Sequence, residues 1–532
     1  MAPRARGRPR GASQSGGQAT PVFDSLPDAI VGDIMLQLPF EERRSLARVC
    51  RRWRQLVDSP ELLRSVSVQL EATDPHDRSC SSDEDGSDSE GGGWFDGCSD
   101  DPEAPIRHIL GFFDWLEQRA APHVERLTVE LGRLAFVLDF QMGCEESVTS
   151  ALCHTLKACT RLQHFSLFME CSLQLYISDD LAPAAQAQLR SLAVECINDN
   201  GPEQPASLQV AGLLALTALE SLHLLGNQVV LGTPPGLWRP LPLPPLPQPT
   251  DGLPPSLTSL ALDGFVDFAS SVQQFVPPQI TALTNLQRLT LANLPGCSLS
   301  SLAALSSLTG LHLQRCVHLP TCLPHLPQLR TLRLEDSPFG LSASHDQAAI
   351  GAALAELGSA LQQLAAVAAA GPQLRHLVLE DVRKLPPELA ALPHLESLYW
   401  VEGYEYGGPA TQLPACGPYL SSLRRLAIPS SMAAGSTAVL SAMPRLEVLA
   451  LQCPASRGYG AAIEVAAEAR VLEWVAQQRP PSLRRLALAF DPAGRYWAKY
   501  KRPMAKLLAR AQLPPSLTVE LDDALLRELR LG

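Results

Sequence analysis

Cysteine and histidine are the first residues to test for chemistry in this chain. The thirteen cysteines are scattered without a single Cys-x-x-Cys pair, so neither a zinc knuckle nor a dithiol redox motif is spelled out. The densest group, Cys144, Cys153, His154 and Cys159, has no recognisable metal-ligand spacing. No Gly-rich phosphate loop, His-Glu-x-x-His pair or nucleophile elbow is written anywhere in the sequence. The reading is therefore non-catalytic: no enzyme, no cofactor, no metal. An odd number of unpaired thiols, most of them expected to be buried, suits a reducing compartment. The chain opens Met-Ala-Pro-Arg-Ala-Arg-Gly-Arg-Pro-Arg, with no apolar signal segment. No apolar run approaches the roughly 18 residues of a membrane span. The expected location is the cytoplasm, the nucleus or both, with no membrane partner.

What remains is recognition chemistry, and a second pattern shows what must position it. Aromatics are 5% and charged residues 18% of the 532 residues, while leucine supplies 91, about one in six. From Val124 a unit recurs: apolar, two variable, apolar, one variable, apolar. It reads Val-Glu-Arg-Leu-Thr-Val at 124 and Leu-Gln-His-Phe-Ser-Leu at 162. Clearer copies start at Leu189, Leu219, Leu257, Leu286, Leu308, Leu329, Leu374, Leu395, Leu423, Leu446 and Leu483, and Leu-Thr-Val-Glu-Leu from 517 reads as an end cap. Starts 21–30 residues apart suit one leucine-rich repeat each; longer gaps need insertions. In each unit the first, fourth and sixth residues point inward, and the third, fifth and seventh face solvent on a short parallel strand. One unit cannot bury its apolar side alone, so neighbours stack into a solenoid.

The outward positions of the central repeats carry the recognition chemistry. They are His312 and Gln314, Arg333 and Glu335, His376 and Glu380, then Tyr399. Flanking repeats carry Ala261, Thr290 and Ala292 before and Ala427, Ala450 and Ala487 after. Three of the eight tyrosines, Tyr399, Tyr404 and Tyr406, fall within eight residues. Tyr and Arg are enriched at interface hot spots, so the repeats from Leu308 to Leu395 are expected to hold a protein substrate, with His312, Arg333, Glu335, His376, Glu380, Tyr399 and Tyr404 in contact.

Ahead of the repeats, residues 23–70 read as a small helical unit. Ser25 can cap a helix with Pro27 in its first turn, and Ile30, Ile34 and Leu38 follow at four-residue spacing until Pro39 breaks it. A second helix is expected to place Leu46, Val49, Cys50, Trp53 and Leu56 on one face and Arg43, Arg44, Arg48, Arg51 and Arg52 mostly on the other. Pro60 opens a short third segment. Three short helices cannot cover this many apolar side chains, so Leu26, Ile34, Leu38, Val49 and Trp53 form a candidate partner surface.

Residues 25–66 resemble an F-box. Leu26-Pro27 opens the motif, Ile34 through Leu38-Pro39 follows, Val49-Cys50-Arg-Arg-Trp53 matches the family's Val-Cys-x-x-Trp signature, and Pro60-Glu-Leu-Leu closes it. Phe40-Glu-Glu-Arg-Arg replaces the commoner Asp-Leu-rich turn. Joined to the repeats, the architecture resembles F-box proteins of the leucine-rich-repeat class: an α/β chain with a small helical F-box, then a parallel-strand horseshoe with a helical and irregular outer face. The resemblance implies that Leu26, Pro27, Ile30, Ile34, Leu38, Pro39, Val49, Cys50 and Trp53 bind the Skp-type adaptor of a cullin–RING ubiquitin ligase, with the repeats holding an unidentified protein substrate. Alternatives are a non-degradative scaffold, or a chromatin protein anchored by its Arg-rich tail.

Flanking segments complete the organisation. Residues 1–22 form a basic tail expected to be disordered, in which Arg6-Gly7-Arg8-Pro9 matches the core of a minor-groove AT-hook. Nucleic acid is otherwise not an expected partner. Residues 71–105 hold twelve Asp/Glu against one Arg, so this linker carries nearly all of the net charge of −12. Within it, Ser81, Ser82 and Ser87 each precede an acid by three residues, which suits an acid-directed kinase. The solenoid is expected over 106–532, with a proline-dense insertion at 233–255 and an Ala-rich helix at 346–370. Arg239-Pro-Leu-Pro242-Leu-Pro-Pro245 in that insertion fits a polyproline ligand.

Overall fold

A computed structural model describes residues 26–38, 40–71, 104–132, 144–170, 172–197, 207–231, 252–267, 278–292, 299–315, 322–335, 347–367, 374–380, 382, 385–401, 412–453, 466–489, 497–521 and 528–529. The tail at 1–22, most of the acidic linker, most of the proline-dense insertion, Pro39 and Tyr404 lie outside the described residues.

Four short helices open the chain: α1 (Asp28–Leu36), α2 (Phe40–Leu46), α3 (Arg51–Val57) and α4 (Pro60–Leu63). The single amphipathic helix expected around Leu46–Leu56 is two helices instead. The chain turns at 47–50, and Cys50 becomes the cap of α3, its Sγ accepting from the Trp53 backbone N at 3.4 Å. Val31, Met35, Val57 and Leu62 form a small core of their own, flanked by Leu26, Leu46, Trp53 and Leu56.

The chain then enters a sheet without a break. Strand β1 (Ser65–Glu71) follows α4 at once and pairs in parallel with β2 (Arg126–Gly132). The first solenoid strand therefore lies inside the stretch assigned from sequence to the helical unit. Next come β3 (His164–Met169), β4 (Leu173–Tyr176), β5 (Ser191–Cys196), β6 (Ser207–Ala211), β7 (Ser221–Leu231), β8 (Ser259–Asp267) and β9 (Arg288–Ala292). The later strands are β10 (Gly310–Gln314), β11 (Thr331–Glu335), β12 (His376–Glu380), β13 (Ser397–Val401), β14 (Arg425–Pro429), β15 (Val448–Gln452), β16 (Arg485–Ala489) and β17 (Thr518–Glu520). Strands β4 and β6 and the far end of β7 make a second short ladder that the repeat pattern did not announce.

The repeat units of the main ladder pair in one register, with a single shift between Leu225 and Gln228 where β7 runs on past its unit against β8. The third residue of each repeat unit pairs with the third residue of the next, as in Leu311↔Leu332, Leu377↔Leu398 and Leu449↔Leu486 one position on. Because the side-chain period in a strand is two, this register keeps every fourth- and sixth-position leucine on the same side. Leu308, Leu311 and Leu313, and Leu329, Leu332 and Leu334, are each no more than 1% exposed. Burying one such leucine stabilises the fold by roughly 1.5–3 kcal/mol. Just ahead of the strands runs a row of backbone bonds, from Glu125 N to Arg64 O (2.8 Å) through Arg330 N to Thr309 O (2.8 Å) to Thr518 N and Arg484 O (2.8 Å). The return segments are short 3-10 turns such as Leu323–His325 and Pro387–Ala391, or helices, of which Gln347–Val367 is the longest described.

Candidate functional site

Two groups of expected contact residues can be placed, one on the helices ahead of β1 and one on the middle strands β10–β12. At the first, α1 turns Val31 and Met35 inward, 2% and 1% exposed, which forces its other apolar residues outward. Ile30, Ile34 and Leu36 are 46%, 43% and 45% exposed, and Val49 in the α2–α3 turn is 64% exposed. These are four of the five exposed large hydrophobics among the described residues. Leu36 was not singled out from the sequence, because it falls between the two periodic positions Ile34 and Leu38. Leu26, Leu38 and Trp53 are half-buried, Pro27 and Cys50 exposed. The exposed apolar residues of this unit are thus Ile30 and Ile34, one turn apart on α1, with Leu36 on another side of that helix and Val49 in the α2–α3 turn, while Leu26 and Trp53 chiefly fill the small core.

Polar groups fix this unit to the solenoid. Arg43, expected on a solvated face, is only 6% exposed. Its Nη1 donates to the Leu62 carbonyl at 3.1 Å and its Nη2 to that of Ser65 at 3.4 Å, which satisfies carbonyls at the end of α4 and the start of β1. Arg52 donates from Nε to Asp28 Oδ1 at 2.8 Å and from Nη2 to the Leu26 carbonyl, fixing α3 against the start of α1.

On the second surface, β10, β11 and β12 bring four expected contact residues into one network. His312 Nε2 lies 3.0 Å from Glu335 Oε2, and Arg333 Nη2 bridges Glu335 Oε2 at 2.8 Å and Glu380 Oε1 at 3.1 Å. Next to it Arg315 takes φ 51°, in the left-handed region disfavoured by a side chain, while its N donates to the Glu335 carbonyl at 2.9 Å. His376 lies at the head of β12, where burial lowers its pKa, Glu396 opposes that shift, and Arg425 and Arg375 add to it.

The expectation that all outward positions face solvent holds for one half of the ladder and is corrected for the other. Burial alternates along β5, β10 and β11, but from β12 to β16 almost every strand residue is buried on both faces. Glu380 is 8% and Tyr399 6% exposed, and Ala427, Ala450 and Ala487 are fully buried. Tyr399 packs in a cluster with Val378, Ala427, Val448, Ala450, Ala487 and Leu529, so residues from the C-terminal end lie on this face.

Burial holds several of the described thiols in their protonated form. Burial, with Asp180 adding to it, pushes Cys153 up to about 12; burial alone takes Cys159 to about 12, and Cys322 rises to about 11. Cys453 is raised by burial and by Glu468, whose Oε1 accepts from Ser430 Oγ at 2.6 Å. Among the described residues no group of His, Cys, Asp or Glu is arranged to hold a metal, and no helix is long and apolar enough to cross a membrane.

Comparison with known proteins places the helical unit directly. Residues 23–65 match the F-box domain family, and no curated protein sequence matches the chain. Among solved structures, a leucine-rich-repeat protein of Leptospira interrogans (LIC12759) is 15% identical over 69% of this chain and 92% of its own, with a TM-score of 0.28. An internalin (InlF) from Listeria monocytogenes is 13% identical over 72% of this chain and 92% of its own, with a TM-score of 0.26. The repeat pattern, the parallel ladder and the domain match at the first helices lead to one description: residues 23–65 match the F-box domain, and they are joined to a parallel-strand solenoid built on a leucine-rich repeat.

Proposed function

We propose that this protein is the substrate-recognition subunit of a Skp–cullin–F-box ubiquitin ligase. F-box domains generally bind Skp-type adaptors, and the observation that carries the reading is the exposure of the large apolar side chains Ile30, Ile34, Leu36 and Val49 on the domain that matches this family. Large apolar side chains left in solvent on so small a unit suit a partner surface. The solenoid would hold a protein substrate, and its mechanism is proximity. A target held beside the charged ubiquitin carrier meets it at high effective concentration, so this subunit needs no catalytic residue. Cullin and RING subunits would join through the adaptor and supply the transfer, in the cytoplasm, the nucleus or both.

Affinity capture with the proteasome inhibited tests the reading. Wild type is expected to bring down a Skp-type adaptor, a cullin and a substrate. A variant with Ile30, Ile34 and Val49 all changed to serine should lose the adaptor and cullin yet keep the substrate. Capture of the adaptor by both proteins, or by neither, contradicts the proposal.

A further inference from the structure

The last repeats differ from the rest in what they present on the outward face. Val378, Tyr399, Ala427, Ala450 and Ala487 occupy the same outward row on five adjacent strands, β12 to β16. Three successive alanines in such a row leave a shallow apolar trough, walled on one side by Tyr399. A trough like this on an isolated sheet would be wet. Here its floor is 0% exposed at all three alanines, and Leu529 sits in the same cluster at 3% exposure.

The residue before it lies between two guanidinium groups. Glu528 Oε2 lies 3.3 Å from Arg485 Nη1, and Glu528 Oε1 lies 4.0 Å from Arg425 Nη1. Arg425 and Arg485 head β14 and β16, two strands apart, so a carboxylate between them meets positive charge from both. Glu528 is about half exposed, so these pairs orient the segment more than they hold it. A desolvated apolar anchor with a charged residue at the rim is the anatomy of a peptide-recognition pocket.

We propose that the trough over β12–β16 is a docking site for a leucine preceded by an acidic residue, occupied in this chain by its own Glu528–Leu529, and that a protein partner presenting the same acid–leucine pair displaces it. The inference rests on the reading of the solenoid as a receptor and names the chemistry its partner would carry. It moves the recognition face from the central repeats, where Arg333 is tied into the ladder, toward the C-terminal ones. It also makes recognition self-limiting. An intramolecular occupant acts at an effective concentration of about a millimolar, so only a partner that binds better, or is presented nearby, will open the face.

Fluorescence polarisation of a labelled peptide with the sequence of residues 522–532 tests this on the full-length protein. The comparison is wild type against full-length Glu528→Lys/Leu529→Asp, in which the internal occupant is disabled. The peptide should bind the opened variant at least about tenfold more tightly than wild type. Adding Arg425→Glu and Arg485→Glu should remove that gain. Glu528→Lys alone leaves the apolar cluster intact, keeps the test sound if the double variant misfolds, and should show a smaller gain. Equal binding to wild type and opened proteins, or no binding to either opened variant, overturns the inference. Adaptor capture measured on the same preparations separates the two claims. If it persists while peptide binding fails, only the docking site falls; if it is lost from wild type, the receptor reading falls whatever the peptide does.

Discussion

Arg43 donates its Nη1 hydrogen to the Leu62 carbonyl oxygen at 3.1 Å and so closes the end of α4 from a helix nineteen residues earlier. A second bond to Ser65 ties the same guanidinium to β1, the first strand of the ladder. The F-box is therefore fastened to the solenoid by a buried charge whose partners are backbone carbonyls, and β1 belongs to both units.

Replacing Arg43 with methionine keeps most of the side-chain volume and removes both bonds. Leaving buried acceptors unpaired costs about 1–3 kcal/mol. Chemical denaturation of Arg43→Met is expected to show a loss in that range, with the F-box transition separating from that of the repeats. A single unchanged transition would show that the two units are not coupled through this residue.

Arg333 gives a sharper energetic test, because it neutralises two carboxylates on neighbouring strands. Its own side chain and those of Glu335 and Glu380 are 16%, 13% and 10% exposed. Taking away the shared cation leaves both acids largely desolvated, which should cost at least about 2 kcal/mol after allowing for their residual exposure. Arg333→Met is predicted to destabilise by that amount, and Glu335→Gln with Glu380→Gln in the same chain to restore most of it. Failure of the two glutamines to rescue would mean that Arg333 acts by packing alone.

Thiol reactivity reports the burial that the helices and ladder impose. A group whose pKa is 11 is ionised in roughly one molecule per thousand at pH 8, and the thiolate is the reactive form. Cys153, Cys159 and Cys322 should therefore resist iodoacetamide at pH 8 in the native protein, while Cys50 and Cys416, both exposed, are alkylated. Residue-resolved mass spectrometry before and after denaturation checks this. Rapid native labelling of Cys159 would contradict the packing around it.

Which parts of this were legible in the sequence follows from how far apart the interacting residues lie. The ladder was readable because each repeat states its own inward positions, as in Leu308, Leu311 and Leu313, and a strand's period does the rest. The break between α2 and α3 was not, because Leu46, Val49, Cys50 and Trp53 keep an apolar spacing straight through the turn. Val66, Val68 and Leu70 alternate as a strand should, yet their partners at 127–131 lie beyond the acidic linker, so β1 had no visible neighbour. Arg43 reads as one cation among many until its carbonyl partners are placed. Tyr399 looks like an exposed contact residue because Leu529, which helps to cover it, comes 130 positions later. Local periodicity shows which way a side chain points; only the folded chain shows what stands in front of it.

Direct titration of a purified Skp-type adaptor into this protein tests the central claim most simply. The account predicts saturable one-to-one binding by wild type. Val49→Asp should weaken it about thirtyfold, the loss of one hot-spot residue of about 2 kcal/mol, with no change in the melting curve because Val49 is 64% exposed. Absence of wild-type binding, or undiminished binding by Val49→Asp together with Ile34→Asp, would contradict it.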